Sequence, residues 1–378
     1  MKIAFTGGGS GGHFYPIIAV AEAIHEIEEE RRLVDIELTY YNNEPYDARA
    51  LFDNEIKWKY VTSGKNRPNK RLLNFLDSFK IIFGVVIATW QLYLHYPDVV
   101  FGKGGGASFT TLFAARLLRI PVMIHESDTV PGRVQAWAGK FAKRVAICVP
   151  EAASHFPKDK TALVGMPVRK LIREPLRDGA YEFLKLERAI PTILVIGGSQ
   201  GALHINNILL DILPRLLDQY QVIHQTGKAG FDDVNLRASY LLENHPHKER
   251  YKSFAYLDVT AMRMSAGIAD LVISRAGNTA IFEIASWGKP SILIPMDASM
   301  SVGDHQRENA YSFARGGGGI VIEDKNLRPT ILRSEIDRVL TDKALSKDMG
   351  EKAKATATPQ AAKKIAEELI KIALMHES

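Results

Sequence analysis

Short apolar runs that end in glycine, each followed by a stretch of helical period, recur along the chain and pair off between its two halves. "KIAFTGGGSGGHFYPIIAVAEAI" near the start and "TILVIGGSQGALHINNILLDIL", Thr192 to Leu213, each read as a buried β-run, a glycine loop and an amphipathic helix. Further on, "PDVVFGKGGGASFTTLFAARLLRIPVMIHE" and "ADLVISRAGNTAIFEIASWGKPSILIP" repeat strand, glycine turn, helix, proline and strand. β-branched runs alternating with helices predict parallel sheets covered on both faces. The fold class is α/β: two Rossmann-like, doubly wound domains facing a central cleft. The join falls in "LVGMPVRK", residues 163 to 170, which divides the chain into 1–166 and 167–357, and a closing helix over about 358–378 packs back on the first domain. Ligands of open α/β sheets sit beyond the carboxyl ends of the strands, so the glycine loops of both domains are expected to line the cleft.

Composition narrows the class. At 378 residues the chain exceeds one ordinary core, and 46% hydrophobic with 24% charged residues is usual for a globular protein. A net charge of +5 is mildly basic, so the location of charge matters more than its sum, and no nucleic-acid partner is expected. Cys148 is the only cysteine, which excludes an internal disulfide or a cysteine-built metal site and suits a reducing compartment. No secretory h-region follows Lys2. The most apolar window, residues 79 to 94, is interrupted by Lys80 and Gln91 and falls short of the ~20 residues of a spanning helix.

The wider segment carries Lys65, Arg67, Lys70, Arg71 and Lys80 beside Leu72, Leu73, Phe75, Leu76 and Phe79. It reads either as a basic, apolar face for an anionic membrane surface or as a core helix with a solvated entry loop.

A glycine loop that opens a helix offers backbone N–H groups and a positive dipole end to a phosphate. Gly7, Gly9 and Gly12 have the spacing of a dinucleotide fingerprint, yet the second strand ends in Tyr-Tyr-Asn-Asn where a ribose-binding acid belongs. Nicotinamide binding is therefore disfavoured. No G-x-x-x-x-G-K-[ST] is present either, so the loops serve a different phosphate ligand.

"GGGSGGHFYP", "HESDTVPG", "VGMPVR", "GGSQGA", "HQTGK", "SRAGNTAIFE" and "DHQRENA" occur in an order and spacing that resembles the bacterial peptidoglycan N-acetylglucosaminyltransferases converting lipid I to lipid II, from Lys2 to about Asn309. The resemblance implies a GT-B glycosyltransferase with a first, acceptor-side domain and a second, donor-side domain. It would move GlcNAc from UDP-GlcNAc to the 4-hydroxyl of MurNAc-pentapeptide on undecaprenyl pyrophosphate, with inversion, as a peripheral protein at the cytoplasmic face of the inner membrane. Other readings are a GT-B enzyme acting on another lipid, a nucleotide-sugar epimerase, or a nucleotide-sugar-binding scaffold.

Glu283 falls about two turns past Gly277, where its carboxylate can accept from both ribose hydroxyls, and the family glutamate there holds the uridine ribose. Ser199 and Gln200 lie in a loop suited to the UDP pyrophosphate, with a serine helix cap as the plainer alternative. His305, Gln306 and Asn309 share one helical face suited to sugar hydroxyls, and Asp304 could be its N-cap. The resemblance places Arg169 near nucleotide phosphate, with a solvated linker arginine as the alternative, and assigns uracil readout to backbone over Val259 to Met262.

Inverting transfer needs a base. His13 at the mouth of the first loop is either that base or a partner for the acceptor's pyrophosphate, to which Ser10, Gly11 and Gly12 would also contribute. Without an Asp-x-Asp near a donor loop, no metal or other cofactor is expected. The sequence departs from the family pattern at Gly106, where an aromatic is frequent, and at Asp128 and Gln135, where asparagine is usual. Asp128 could polarise His13 or act as the base itself.

Overall fold

The computed structural model describes residues 1–33, 35–63, 71–198, 201–297 and 305–377, with the backbone alone at 71–78 and 376–377. The chain divides into two compact units, Met1–Arg169 with Thr358–Ser378, and Lys170–Ala357.

The first unit holds a seven-stranded sheet of β1 (Lys2–Thr6), β2 (Glu37–Asn42), β3 (Ile56–Tyr60), β4 (Val99–Gly102), β5 (Val122–Glu126), β6 (Arg144–Ile147) and β7 (Thr161–Leu163). The strands lie in the order β3-β2-β1-β4-β5-β6-β7, with every pairing parallel. Its helices are α1 (Gly11–Arg31), α2 (Ala48–Asp53), α3 (Arg71–His95), α4 (Ser108–Leu117) and α5 (Arg133–Ala138).

The second unit carries α6 (Lys170–Arg173), α7 (Ala180–Leu184), β8 (Thr192–Ile196), α8 (Leu203–Leu217), β9 (Gln221–Gln225), α9 (Phe231–Leu241) and β10 (Tyr251–Phe254). There follow α10 (Val259–Ile268), β11 (Leu271–Ser274), α11 (Asn278–Trp287), β12 (Ser291–Leu293), α12 (His305–Arg315), β13 (Gly319–Val321), α13 (Pro329–Thr341) and α14 (Lys343–Thr356). Its six strands run parallel in the order β10-β9-β8-β11-β12-β13. α15 (Ala361–Glu377) returns to the first unit.

Both sheets reverse their winding beside the first strand of the unit, between β1 and β4 and between β8 and β11. The loops after these strands diverge there, which leaves helix N-termini and glycines at the switch point.

α1 is not the amphipathic helix its sequence pattern predicts. From Phe14 to Ile27 it is buried on nearly every side, because the sheet covers one face and α15 the other. Ile365, Leu369, Ile372 and Ala373 of α15 join Ile17, Ala21 and Ile24 in one core. Where the chain returns, Thr358 Oγ1 accepts from Met166 N at 3.0 Å, and a Cβ on Gly165 would lie 2.3 Å from that of Thr358.

α3 also departs from the usual pattern. Its small and buried residues, Gly84, Ala88 and Leu92, face inward, and a Cβ on Gly84 would lie 2.0 Å from the Thr62 carbonyl oxygen. Phe79, Ile82, Phe83, Val86, Trp90, Tyr93 and Leu94 face outward, each 58–65% exposed. The helix joins the core only through its small inner face, where Ala88 and Leu92 lie with Ile87 packed against them, and its large apolar side chains point away from it. Lys65, Arg67 and Lys70 lie outside the described residues, as do the side chains of Arg71, Leu72, Leu73, Phe75 and Leu76.

Candidate active site

The first unit's site forms where β1 runs out. The chain turns through Gly7–Ser10 into α1, with Gly9 at φ +90° and nothing within 4 Å of its would-be Cβ, so backbone conformation alone calls for glycine there. A Cβ on Gly105 would lie 2.3 Å from the Gly8 carbonyl oxygen, so the loops after β1 and β4 meet backbone to backbone. On the other side the Tyr40 hydroxyl donates to the Gly7 carbonyl, and Asn42 Nδ2 donates to that hydroxyl at 2.6 Å. The end of β2, where a dinucleotide fold carries its ribose acid, is here used to pin the glycine loop.

Ser10 is the N-cap of α1, and its carbonyl accepts from His13 N at 3.1 Å and Phe14 N at 3.2 Å. Its side chain makes no capping bond. Gly11 and Gly12 open the first turn and His13 follows. A Cβ on Gly104 would lie 3.4 Å from His13 Nδ1, so the imidazole packs on the second glycine loop. That nitrogen is buried without a hydrogen-bond partner among the described residues. Burial pushes the imidazole down to about 4 and the Lys103 ammonium adds to this, while the Asp128 carboxylate and the Lys103 backbone pull the other way. His13 is therefore neutral at neutral pH.

Asp128 sits in the loop that follows β5. Glu126, which ends that strand, folds back on the same loop: Oε1 accepts from Ser127 N at 2.7 Å and Asp128 N at 2.9 Å, and Oε2 from Gly132 N at 3.1 Å. Burial and then the Asp128 charge push the Glu126 carboxyl up to about 7, against the pull of backbone amides and Lys103. Gln135 Nε2 donates to the carbonyls of Gly102 at 3.2 Å and His125 at 2.7 Å, tying the ends of β4 and β5. His125 Nε2 donates to the Gly165 carbonyl at 2.8 Å.

Sequence reasoning gave Lys103, His125 and Glu126 no role. The available signal was a lysine inside the apolar and glycine run "VVFGKGGG", where a solvated cation has no place.

Arg169 is not a solvated linker arginine. It ends the first unit with its guanidinium 3.9 Å from the centre of the Tyr15 ring, two residues along α1 from His13. Its Nε is buried and without a partner among the described residues.

In the second unit, Ser199 and Gln200 lie outside the described residues. The loop around them is anchored by Gly197 N donating to the Gln225 carbonyl at 3.2 Å, and a Cβ on Gly201 would lie 2.6 Å from the Thr226 carbonyl oxygen. α8 begins at Leu203 with Ala202 as N-cap. Gln225 Oε1 accepts from Leu257 N at 3.0 Å and sets the entry to α10. There Asp258 caps the helix: its Oδ1 accepts from Ala261 N at 2.8 Å and its carbonyl from Met262 N at 2.8 Å. The Met262 N–H is thus committed within the helix.

Glu283 lies in α11, which starts from Gly277 as N-cap and packs against α12. On α12, Asn309 is buried and His305 has a buried Nδ1 without a partner among the described residues. Gln306 Oε1 accepts from Met296 N at 3.0 Å. Asp304 lies outside the described residues. Arg275, unassigned from sequence, donates to Asp324 Oδ1 at 2.5 Å and the Ile294 carbonyl at 3.2 Å, while Asp324 Oδ2 meets His204 Nδ1 at 3.1 Å. This cluster ties the ends of β11 and β12 to α8.

Two parallel doubly wound units with glycine loops at their switch points define an α/β protein of the GT-B kind. The N-terminal domain of glycosyltransferase family 28 matches residues 3–147, and its C-terminal domain matches residues 192–368. A UDP-N-acetylglucosamine–N-acetylmuramyl-(pentapeptide) pyrophosphoryl-undecaprenol N-acetylglucosamine transferase of Clostridium novyi (strain NT) is 35% identical over 344 residues, 90% of this chain and 91% of that protein. A transferase of the same name, numbered 3, from Bacillus thuringiensis (strain Al Hakam) is 36% identical over 339 residues, 89% and 91% of the two chains. The crystal structure of Acinetobacter baumannii MurG superposes with a TM-score of 0.71 at 24% identity, over 98% of this chain and 99% of that one. The chain belongs to glycosyltransferase family 28, among the transferases of that name.

Proposed function

We propose that this chain transfers N-acetylglucosamine from UDP-N-acetylglucosamine to the 4-hydroxyl of undecaprenyl-pyrophosphoryl-MurNAc-pentapeptide, lipid I, giving lipid II and UDP in peptidoglycan synthesis. The observation that carries this is identity of 35–36% over about nine-tenths of the chain with transferases named for that reaction. The intact loop, histidine and glutamate motifs add to it.

The first unit takes the acceptor. Ser10, Gly11 and Gly12, at the start of α1, face the acceptor's pyrophosphate with the positive end of the helix. Neutral His13 accepts the proton of the attacking hydroxyl as the new glycosidic bond forms and the bond to UDP breaks. Bound pyrophosphate raises the proton affinity of the imidazole, which offsets the depression seen in the free site. Asp128 stabilises the imidazolium that results.

The second unit takes the donor. Glu283 accepts from the ribose hydroxyls, backbone over Val259 to Met262 meets the base, and His305, Gln306 and Asn309 meet the sugar. The Ser199–Gln200 loop and the N-termini of α8 and α11 receive the charge that leaves with UDP. Arg169, stacked on Tyr15, supplies a cation for phosphate.

The acceptor is lipid-borne, and α3 supports work at a membrane surface. Its outward stripe of seven large apolar residues has exposed Lys80 within it, a combination that suits the anionic cytoplasmic leaflet. Among the described residues no helix is long and apolar enough to cross a membrane.

The test is a transfer assay with radiolabelled UDP-N-acetylglucosamine offered lipid I, a diacylglycerol extract or water. Label is expected in lipid II alone. Label on another lipid, or none beyond hydrolysis, would overturn the reading.

A further inference from the structure

Lys103 is the one lysine among the largest fully buried side chains, 1% exposed and placed at the switch point of the first sheet. Its position is built from three sides. Lys103 N donates to the Thr6 carbonyl at 2.9 Å, which fixes it beside β1. A Cβ on Gly7 would lie 3.0 Å from Lys103 Cβ, so the side chain runs directly beneath the first glycine loop. Its Nζ reaches the loop after β5 and donates to Ser127 Oγ at 3.2 Å, between Glu126 and Asp128 in sequence. The next residue, Gly104, carries the His13 ring.

A lysine in the interior is costly unless its charge is needed, and a methionine would fill the same space without desolvation. The surroundings supply the reason. The charged and titratable groups around Lys103 and His13 are Glu126 and Asp128 from the loop after β5, His125 at the end of β5, and Cys148 after β6. Asp128 acts on both, favouring the charged form of each.

We infer that Lys103 is a positioning residue of the transfer reaction: its buried side chain, held under the first glycine loop and bonded to Ser127, balances the Asp128 and Glu126 carboxylates beside His13, the group that takes the acceptor's proton. Lys103 and Asp128 thereby act as a unit. The carboxylate placed beside the base is useful to the imidazolium after transfer, and before transfer the lysine adds to burial in opposing the carboxylate's pull on the imidazole. This rests on His13 being the base.

The experiment compares wild type with Lys103→Met, Lys103→Gln and Lys103→Met/Asp128→Asn. Two readouts are followed: kcat/KM for lipid I against pH, which reports the free enzyme, and the His13 ring signal titrated by NMR of histidine-labelled protein. UDP affinity serves as the fold control. Wild type is expected to hold kcat/KM from pH 8 to 5.5. Each single variant should lose at least about twofold more of its pH 8 kcat/KM at pH 5.5 than wild type does, as its imidazole rises from about 4 while burial still holds it below the ordinary value, and the double variant, read against its own pH 8 value because Asp128 serves the reaction, should lose less than the single variants.

A His13 signal that titrates near 6.5 in wild type overturns the inference even if no variant folds. So does one unmoved in a folded Lys103 variant. If the signal moves with Lys103 while the acid limb of kcat/KM does not, Lys103 governs the imidazole and His13 is not the base, so the two readings fail separately.

Discussion

At the residue scale the site depends on buried polar groups more than on exposed ones. His13 packs on Gly104 beneath a loop pinned by Tyr40 and Asn42, and its neutral state follows from burial beside Lys103. His13→Ala is expected to lower kcat by about 10²–10⁴-fold with a smaller change in UDP-N-acetylglucosamine affinity, because a positioned base acts on the transition state and not on donor binding. Steady-state kinetics with calorimetric donor binding checks this, and near-normal turnover would remove His13 as the base. His13 stands out in the sequence as a polar residue beside a glycine loop, whereas Asp128 stands out only as a departure from the family pattern. The sequence left Lys103 and Glu126 unread because their significance lies in burial and in partners across loops, which linear spacing does not encode. α8 begins later than the glycine pattern suggests, with Ala202 as its N-cap, and Ser199 lies outside the described residues.

At the element scale, two helices depart from the amphipathic rule in opposite ways. α1 is buried all round because α15, distant in sequence, covers the face the sheet does not. The alternation of strand and helix could place α1 in the fold, but periodicity measured over α1 alone could not reveal that later partner. α3 turns large apolar residues outward and Gly84 and Ala88 inward, so which side the helix presents to the core is set by which residues are small. The outward stripe predicts a lipid contact. Replacing Phe83, Val86 and Trp90 together by serine should reduce sedimentation with vesicles of anionic phospholipid about tenfold or more, since each buried apolar side chain contributes about 1.5–3 kcal/mol. Solution stability should change little, because these side chains are already exposed in the fold. Unchanged vesicle binding would show that α3 is not the contact.

At the scale of the whole molecule, both units hold histidines that are neutral when folded, and this sets a common response to acid. In the second unit His224 is fully buried, meeting Asn206 Oδ1 at 3.0 Å through Nε2 and the Tyr251 hydroxyl at 2.9 Å through Nδ1. Burial pushes it down to about 3. In the first unit His13 is pushed down to about 4. A group whose folded value lies below its unfolded value gives stability that is present above the unfolded value and lost as pH falls toward the folded one. For both histidines that window opens near 6.5 and runs to about 3–4. Glu126 has the opposite sign: raised to about 7, it favours the folded state below its ordinary value of 4.5 and that contribution is lost as pH rises through 7. The two effects overlap between pH 5 and 7, and in the first unit they partly cancel. The second unit lacks such an offset at His224, so it is expected to lose about 2 kcal/mol between pH 7.5 and 5 from this residue alone. Urea unfolding followed through Trp287, buried in the second unit, should show the midpoint falling with pH in wild type and a flatter dependence in His224→Gln. An equal pH dependence in the two proteins would mean that His224 takes up its proton without resistance in the folded state, and that the acid sensitivity of this unit has another source.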